Sequence, residues 1–247
     1  MKVNKKLTLR GIGNPVVDAR GSGSAITLSA NGITLEGFTA IGSGHGSFFE
    51  SPEAGIRITS NRNTLTGNNT SNNSNGISLS FSSNNTLSGN KASSNNKYGI
   101  YLSYSSKNTM NGNNVSSNND NGISLNSDYL YSSSIDNTIY NNIFNNTNNI
   151  KFYDPDINTW NTTRRSGTNI IGGSLLGGNF WAYPNGTGFS QTCRDVNSDG
   201  ICDQSYILNT KNIDYLPISM NFTNDKMPPK SVSNLKNVSY ASAWTAN

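Results

Sequence analysis

One short phrase recurs four times between Ala54 and Asn142. It reads Gly55 Ile56 Arg57 Ile58, Gly76 Ile77 Ser78 Leu79, Gly99 Ile100 Tyr101 Leu102 and Gly122 Ile123 Ser124 Leu125, at steps of 21, 23 and 23 residues. A second phrase keeps time with it: Asn63 Thr64 Leu65 Thr66 Gly67 Asn68, Asn85 Thr86 Leu87 Ser88 Gly89 Asn90, Asn108 Thr109 Met110 Asn111 Gly112 Asn113, then Asn137 Thr138 Ile139. Each period therefore holds at least two short strands with turns between them. A period in the low twenties without helical 3.6 spacing predicts a solenoid of strands, because one unit has too little apolar surface to fold alone. Leucine-rich repeats share the length but need several leucines per unit, which are absent. The expected fold is all-β, a parallel β-helix in which each apolar residue stacks on its equivalent one coil along.

Such a fold explains how a chain with 43 asparagines and 33% hydrophobic residues holds together. Inward-facing asparagines at the corners can form amide ladders that satisfy buried polar groups from coil to coil. The formal net charge of +4 is thinly scattered, only Lys2, Lys5, Lys6 and Arg10 lying close together. Nucleic acid is not an expected partner, because no basic face with interleaved aromatics is concentrated enough. No stretch reaches the length of a membrane span, and Met1 Lys2 Val3 Asn4 leads directly into the strand pattern Leu7 Thr8 Leu9 rather than a signal peptide. Natural solenoids cover their ends, so the chain reads as the inner part of a larger protein. Acceptor sequons for N-glycosylation occur at Asn68, Asn69, Asn72, Asn84, Asn114, Asn145, Asn161, Asn185, Asn221 and Asn237, which is compatible with export.

Strand alternation from Val3 to Phe38 places the start of the β-helix at the N-terminus, and residues 1–176 read as its repeats. Ile41 to Pro52 is an insertion carrying His45, Phe48, Phe49 and Glu50; a lone His in a loop is expected to face solvent. In regular coils eight residues separate the second-position Ile from the next Asn, as from Ile77 to Asn85. From Ile123 to Asn137 the gap is 14, and from Ile150 to Asn169 it is 19. Both insertions are expected at one corner, side by side on one edge. Together with Phe81 and Tyr104, they would give a stripe of Tyr129, Tyr131, Tyr153 and Trp160 beside Arg164 and Arg165. Exposed rings flanked by amide, acidic and guanidinium groups suit pyranose sugars; the same stripe could equally stack neighbouring coils. Asp128, Asp136, Asp154 and Asp156 are the carboxylates that could act as acid and base in glycoside cleavage, and Asp154 and Asp156 are also ordinary turn residues.

The texture changes at Gly177, and residues 177–222 read as a C-terminal cap. Asp195, Asn197, Asp199 and Asp203 place oxygen side chains at positions 1, 3, 5 and 9 of a loop whose Gly200 sits at the sharp turn. Ile201 offers a carbonyl, a pattern that suits calcium. The EF-hand glutamate is replaced by Tyr206, which points to a short structural calcium loop or to an Asx-rich turn. Cys193 and Cys202 flank the loop and would staple it in an oxidising compartment. Residues 223–247, beginning with Met227 Pro228 Pro229 Lys230, read as a linker and the start of a further domain.

The repeats, the opening Leu7 Thr8 Leu9 Arg10 Gly11 Ile12 with Pro15 Val16 Val17 Asp18 Ala19, and the ending Gly178 Asn179 Phe180 Trp181, Asp199 Gly200 Ile201 Cys202 Asp203 and Asp214 Tyr215 Leu216 Pro217 resemble the NosD-type right-handed parallel β-helix family. That family includes a periplasmic copper-binding maturation protein and archaeal surface proteins with carbohydrate-binding and sugar-hydrolase repeats. The resemblance implies right-handedness, export and a cell-surface setting. Copper is not expected, since one His with no clustered Met or Cys is a poor donor set. The expected function is a non-catalytic surface module that binds envelope or matrix carbohydrate and carries calcium in its cap. A polysaccharide hydrolase or lyase, an architectural spacer and a copper-binding maturation factor are the alternatives.

Overall fold

The computed structural model describes residues 1–45, 53–127, 133–153 and 156–222. Phe48, Phe49, Glu50, Asp128, Tyr129, Tyr131, Asp154 and the 223–247 tail lie outside the described residues.

The chain winds into a right-handed parallel β-helix whose coils each contribute one strand to three parallel sheets. The first sheet stacks Lys2–Val3, Ile26–Leu28, Ala54–Ile58, Asn75–Ser80, Tyr98–Ser103, Asn121–Asn126 and Ile150–Phe152. Its register aligns Ile26, Ile56, Ile77, Ile100, Ile123 and Ile150 in one inward column. In the second sheet Leu9, Leu35, Leu65, Leu87, Met110 and Ile139 form the equivalent column. The third sheet aligns Val17, Ala40, Thr70, Ala92, Val115, Phe144 and Trp181. The two-residue alternation of a strand thus sends two side chains inward from each longer first-sheet strand, as with Ile77 and Leu79, and one from each strand of the other two sheets, and stacking hides them from water. Its last strand, Phe180–Ala182, pairs with Ile143–Asn145, so the body runs past the boundary at residue 176 that composition suggests.

Every corner carries an asparagine ladder. At the first, Asn63, Asn85, Asn108, Asn137 and Asn158 follow one another; each donates its backbone N–H and its Nδ2 to the Oδ1 of the next. The second runs Asn68, Asn90, Asn113, Asn142, Asn179, and the third Asn73, Asn95, Asn118, Asn146, Asn149. In the second ladder the preceding residue turns the chain with positive φ, +63 to +66° at Gly67, Gly89 and Gly112, and Asn141 takes the place at 57°; glycine and asparagine tolerate this backbone best. The glycine of the recurring phrase has a separate cause. A Cβ on Gly99 would lie 2.6 Å from Asn118 Nδ2 and 2.4 Å from a Val115 methyl, so the strand can pass the third ladder only where no side chain stands.

One expected spacing is corrected. Asn158, eight residues after Ile150, is the ladder residue of its coil. Asn169 lies outside the ladder and closes a hairpin, its Oδ1 accepting from Ile171 and Gly173 N–H and its Nδ2 donating to Leu175 O. The excursion therefore leaves the coil after Trp160 and carries the antiparallel strands Arg165–Ser166 and Leu175–Leu176. The first excursion does leave at the expected corner, where Ser134 N–H meets Ser127 Oγ at 2.8 Å. The two do not share a corner.

The ladder supplies a direct test. Asn113 Oδ1 accepts from Asn90 N–H and Nδ2 at 2.9 and 3.0 Å, and its Nδ2 donates to Leu87 O and Asn142 Oδ1. Asn113→Ala leaves these buried groups unpaired and should cost about 3 kcal/mol, read as a lowered urea midpoint.

Candidate functional site

The outward positions of the first sheet align as Arg57, Ser78, Tyr101, Ser124 and Lys151. Tyr101 stacks on Tyr98 at 5.3 Å between ring centroids and 19° between planes. The Tyr98 hydroxyl lies 3.1 Å from that of Tyr153, and Lys151 Nζ sits 4.5 Å over the Tyr153 ring. Asn126 Nδ2 donates to the Tyr101 hydroxyl at 3.0 Å. Where the same coil leaves the sheet, Tyr104 packs against Phe81 with centroids 4.8 Å apart. Five rings thus cross the body as a band, three of them on the single coil that begins at Tyr98. Burial raises the phenol pKa of Tyr98 and of Tyr101, so both stay neutral donors.

Phe81 and Tyr104 occupy left-handed backbone, φ 49° and 51°, where a bulky side chain is an outlier. Phe81 is nonetheless 65% exposed, so core packing does not account for its ring. Backbone bonds from Phe81 N–H to Ser103 O and from Tyr104 N–H to Asn126 O hold the two corners open.

Of the expected stripe, Phe81, Tyr104 and Tyr153 belong to this band. Trp160 does not. It is fully buried and donates Nε1–H to Asn212 Oδ1 at 2.9 Å, because the Asn158 register turns it into the core. There it joins Trp181, which in turn contacts Phe144 and Tyr206, and Tyr206 stacks on Phe189, closing the end of the solenoid. Arg164 pairs with Asp199 in the cap rather than with the rings, and Arg165 is exposed on the hairpin. Asp136 is an exposed corner residue at φ 58°, in the place held by Arg62, Asn84 and Lys107 on other coils. Asp156 is half-buried, and its backbone carbonyl accepts from Asn158 and Asn212 side chains. Tyr98, Tyr101 and Lys151 were missed by spacing arguments built on corners. The outward position of the recurring phrase, two residues after its glycine, was the signal for Tyr101.

In the 195–203 loop the oxygens turn toward the loop's own backbone. Asp195 accepts N–H bonds from Asp199 and Gly200, Asn197 Oδ1 accepts from Asp199, and Asp203 Oδ2 accepts from Val196. Cys193 and Cys202 are joined across a Cα–Cα distance of 5.7 Å. Beneath this cap lies Asp214, fully buried, where the second ladder ends. Its carboxyl accepts from Asn179 N–H and Trp181 Nε1–H, both at 2.8 Å, and from Leu216 N–H at 3.1 Å. Burial pushes its pKa up to about 7.

This architecture defines a parallel β-helix protein with a disulfide-closed cap. Over residues 11–186 the chain matches the family described as periplasmic copper-binding protein (NosD), and it belongs to that family. Among solved structures it is similar to the periplasmic alginate epimerase AlgG, at 20% identity and TM-score 0.46, over 56% of this chain and 32% of that one. The D317A mutant of the same epimerase gives 22% identity and TM-score 0.43, over 60% and 32%. The match thus spans about a third of the epimerase chain. No curated protein matches.

The residues described here do not fit a copper centre. Such centres need imidazole or soft sulfur donors in mutual reach. Both cysteine sulfurs are spent on the bridge, Met110 is buried in the second-sheet column, and among the described residues no three His, Cys, Asp or Glu side chains gather to hold a metal. No helix among them is long and apolar enough to cross a membrane.

Asp214 makes cap stability depend on pH. Its folded pKa lies above the unfolded value, so its contribution is full below about pH 4 and is lost as pH rises through about 7. Between those values the melting temperature of the wild type should fall by several degrees relative to Asp214→Asn, as followed by calorimetry.

Proposed function

We propose that this chain is an extracytoplasmic, non-catalytic module that binds a polysaccharide of the cell envelope or matrix along the aromatic band. The observation that carries the reading is the pair Phe81 and Tyr104, an exposed ring and a half-buried one kept on strained corners beside Tyr101 and Tyr98. Sugar rings offer axial C–H groups to such faces, while Lys151, Asn126 and the phenol hydroxyls take hydroxyl contacts. The disulfide and the family's periplasmic description favour a compartment outside the cytoplasm. Replacing Phe81 and Tyr104 together by Ala should weaken binding to an envelope polysaccharide at least tenfold by titration calorimetry, with the melting temperature unchanged. Equal affinity would sink the proposal. Loss of polymer mass in light scattering would mark an enzyme instead.

We propose further that the 195–203 loop takes calcium as a stabiliser of the cap. Five oxygen-bearing positions lie within nine residues closed by a disulfide, and a bound cation would release Arg164 from Asp199. Calcium at a hundred times its dissociation constant adds about 2.7 kcal/mol. The melting temperature should therefore drop when a chelator is added, and an unchanged value would rule the site out.

A further inference from the structure

The ten sequons are alike in sequence, and the nine within the described residues differ sharply in the fold. An oligosaccharyltransferase needs an acceptor Asn whose amide nitrogen is exposed and a hydroxyl residue two places on that the chain can bend toward it. Asn68 is a ladder residue, 1% exposed, with both amide groups bonded to neighbouring coils. Asn69, Asn114 and Asn145 lie in third-sheet strands with their Oδ1 atoms buried. Asn72 and Asn84 are exposed, but the residue between each and its hydroxyl partner is a ladder asparagine, so Ser74 is buried and Thr86 is held in the second-sheet strand. The Asn161 amide is engaged on both sides, with Thr162 O and Tyr215 N–H, and Asn221 Nδ2 donates to Cys193 O.

Asn185 is different in each respect. It stands in the exposed turn Pro184 Asn185 Gly186 Thr187, which Gly186 N–H closes onto Tyr183 O at 3.0 Å. Its Oδ1 accepts from Thr187 Oγ1–H at 2.8 Å and from Thr187 N–H at 3.1 Å, so the sequon hydroxyl is already folded onto the acceptor amide. With Oδ1 held, Nδ2 is turned outward and makes no hydrogen bond among the described residues. A Cβ on Gly186 would meet nothing within 4 Å, which leaves the approach clear. A shallow cleft formed by Thr147, Tyr183, Pro184 and Asn185 adjoins the amide and offers the Tyr183 ring and Pro184 to the first sugar.

We infer that Asn185 is the N-glycosylation site among the described residues, modified in the folded state by transfer from a lipid-phosphate-linked oligosaccharide. In the transfer Asn185 Nδ2 forms the bond to the anomeric carbon and loses one proton to a transferase base. The bond from that carbon to the phosphate oxygen breaks, and the lipid phosphate leaves with its electron pair. The site is at the cap end, on a different element from the aromatic band, so it stands whether or not the band binds polysaccharide.

The test incubates the purified, folded chain with lipid-linked oligosaccharide and a single-subunit oligosaccharyltransferase that requires only the three-residue sequon. Occupancy is read by peptide mass spectrometry. Within residues 1–222 the expected result is one glycan, on Asn185, abolished by Asn185→Gln, reduced at least tenfold by Thr187→Ala and kept by Thr187→Ser. An unmodified Asn185, occupancy at Asn72 or Asn84 equal to or above it, or full occupancy in Thr187→Ala would overturn the assignment.

Discussion

The hydrogen bond from one asparagine amide to the next is what the rest of this structure depends on. The cross-section is small and each regular coil sends inward two apolar residues from the first sheet and one residue from each of the others, so apolar burial alone leaves the corners as turns with buried backbone groups to satisfy. Most ladder asparagines answer two needs with one side chain, as Asn113 does: Oδ1 takes the N–H of the preceding coil's corner, and Nδ2 returns to a carbonyl below. The requirement propagates outward. It dictates the glycine beside the third ladder, where Asn118 approaches the Gly99 strand, and the left-handed residue before each amide of the second. It also sets the end of the stack, since the last donor of the second ladder needs a partner that accepts without having to donate onward. Asp214 is that partner, and its burial is the reason its carboxyl behaves unlike a surface aspartate.

The parts of the fold legible in the sequence were those written in repetition. Ile56, Ile77, Ile100 and Ile123 recur in register because they stack in register, and the Asn–Gly–Asn texture marks corners because only a few residues satisfy both the turn and the ladder. Where the repeat ran once, as in the coil after Ile150, periodicity had two asparagines to choose from. Asn169 sits in a phrase much like the others, but Asn158 keeps the spacing, and the choice decided whether Trp160 faced solvent or core. The aromatic band was hidden for a related reason. Tyr98, Tyr101 and Tyr153 are spread over 55 residues, and only the parallel stacking of coils brings the last of them beside the first two. Asp214 could not be read at all, because its partners Asn179 and Trp181 meet it only through the folding back of the cap.

The band and the family name pull in different directions. The name carries copper, whose donors this chain does not gather among its described residues; the surface carries rings. Phe81 and Tyr104 pay a conformational cost to stand where asparagine or glycine would sit at ease. The 195–203 loop and the disulfide belong to the cap, which keeps the open end of a one-dimensional stack closed.

The directionality of the ladders has one more consequence. Because each ladder asparagine's backbone N–H donates toward the C-terminus and the lines end at Asp214, Asn149 and Asn212, a whole coil duplicated between Gly99 and Asn121 would find the same neighbours above and below it. The body would lengthen by one strand spacing, about 4.8 Å, with both ends untouched. Length in this architecture is therefore a counted quantity, a ruler graduated in coils, and the reach of anything carried at its far end can be adjusted in whole steps without redesigning either terminus.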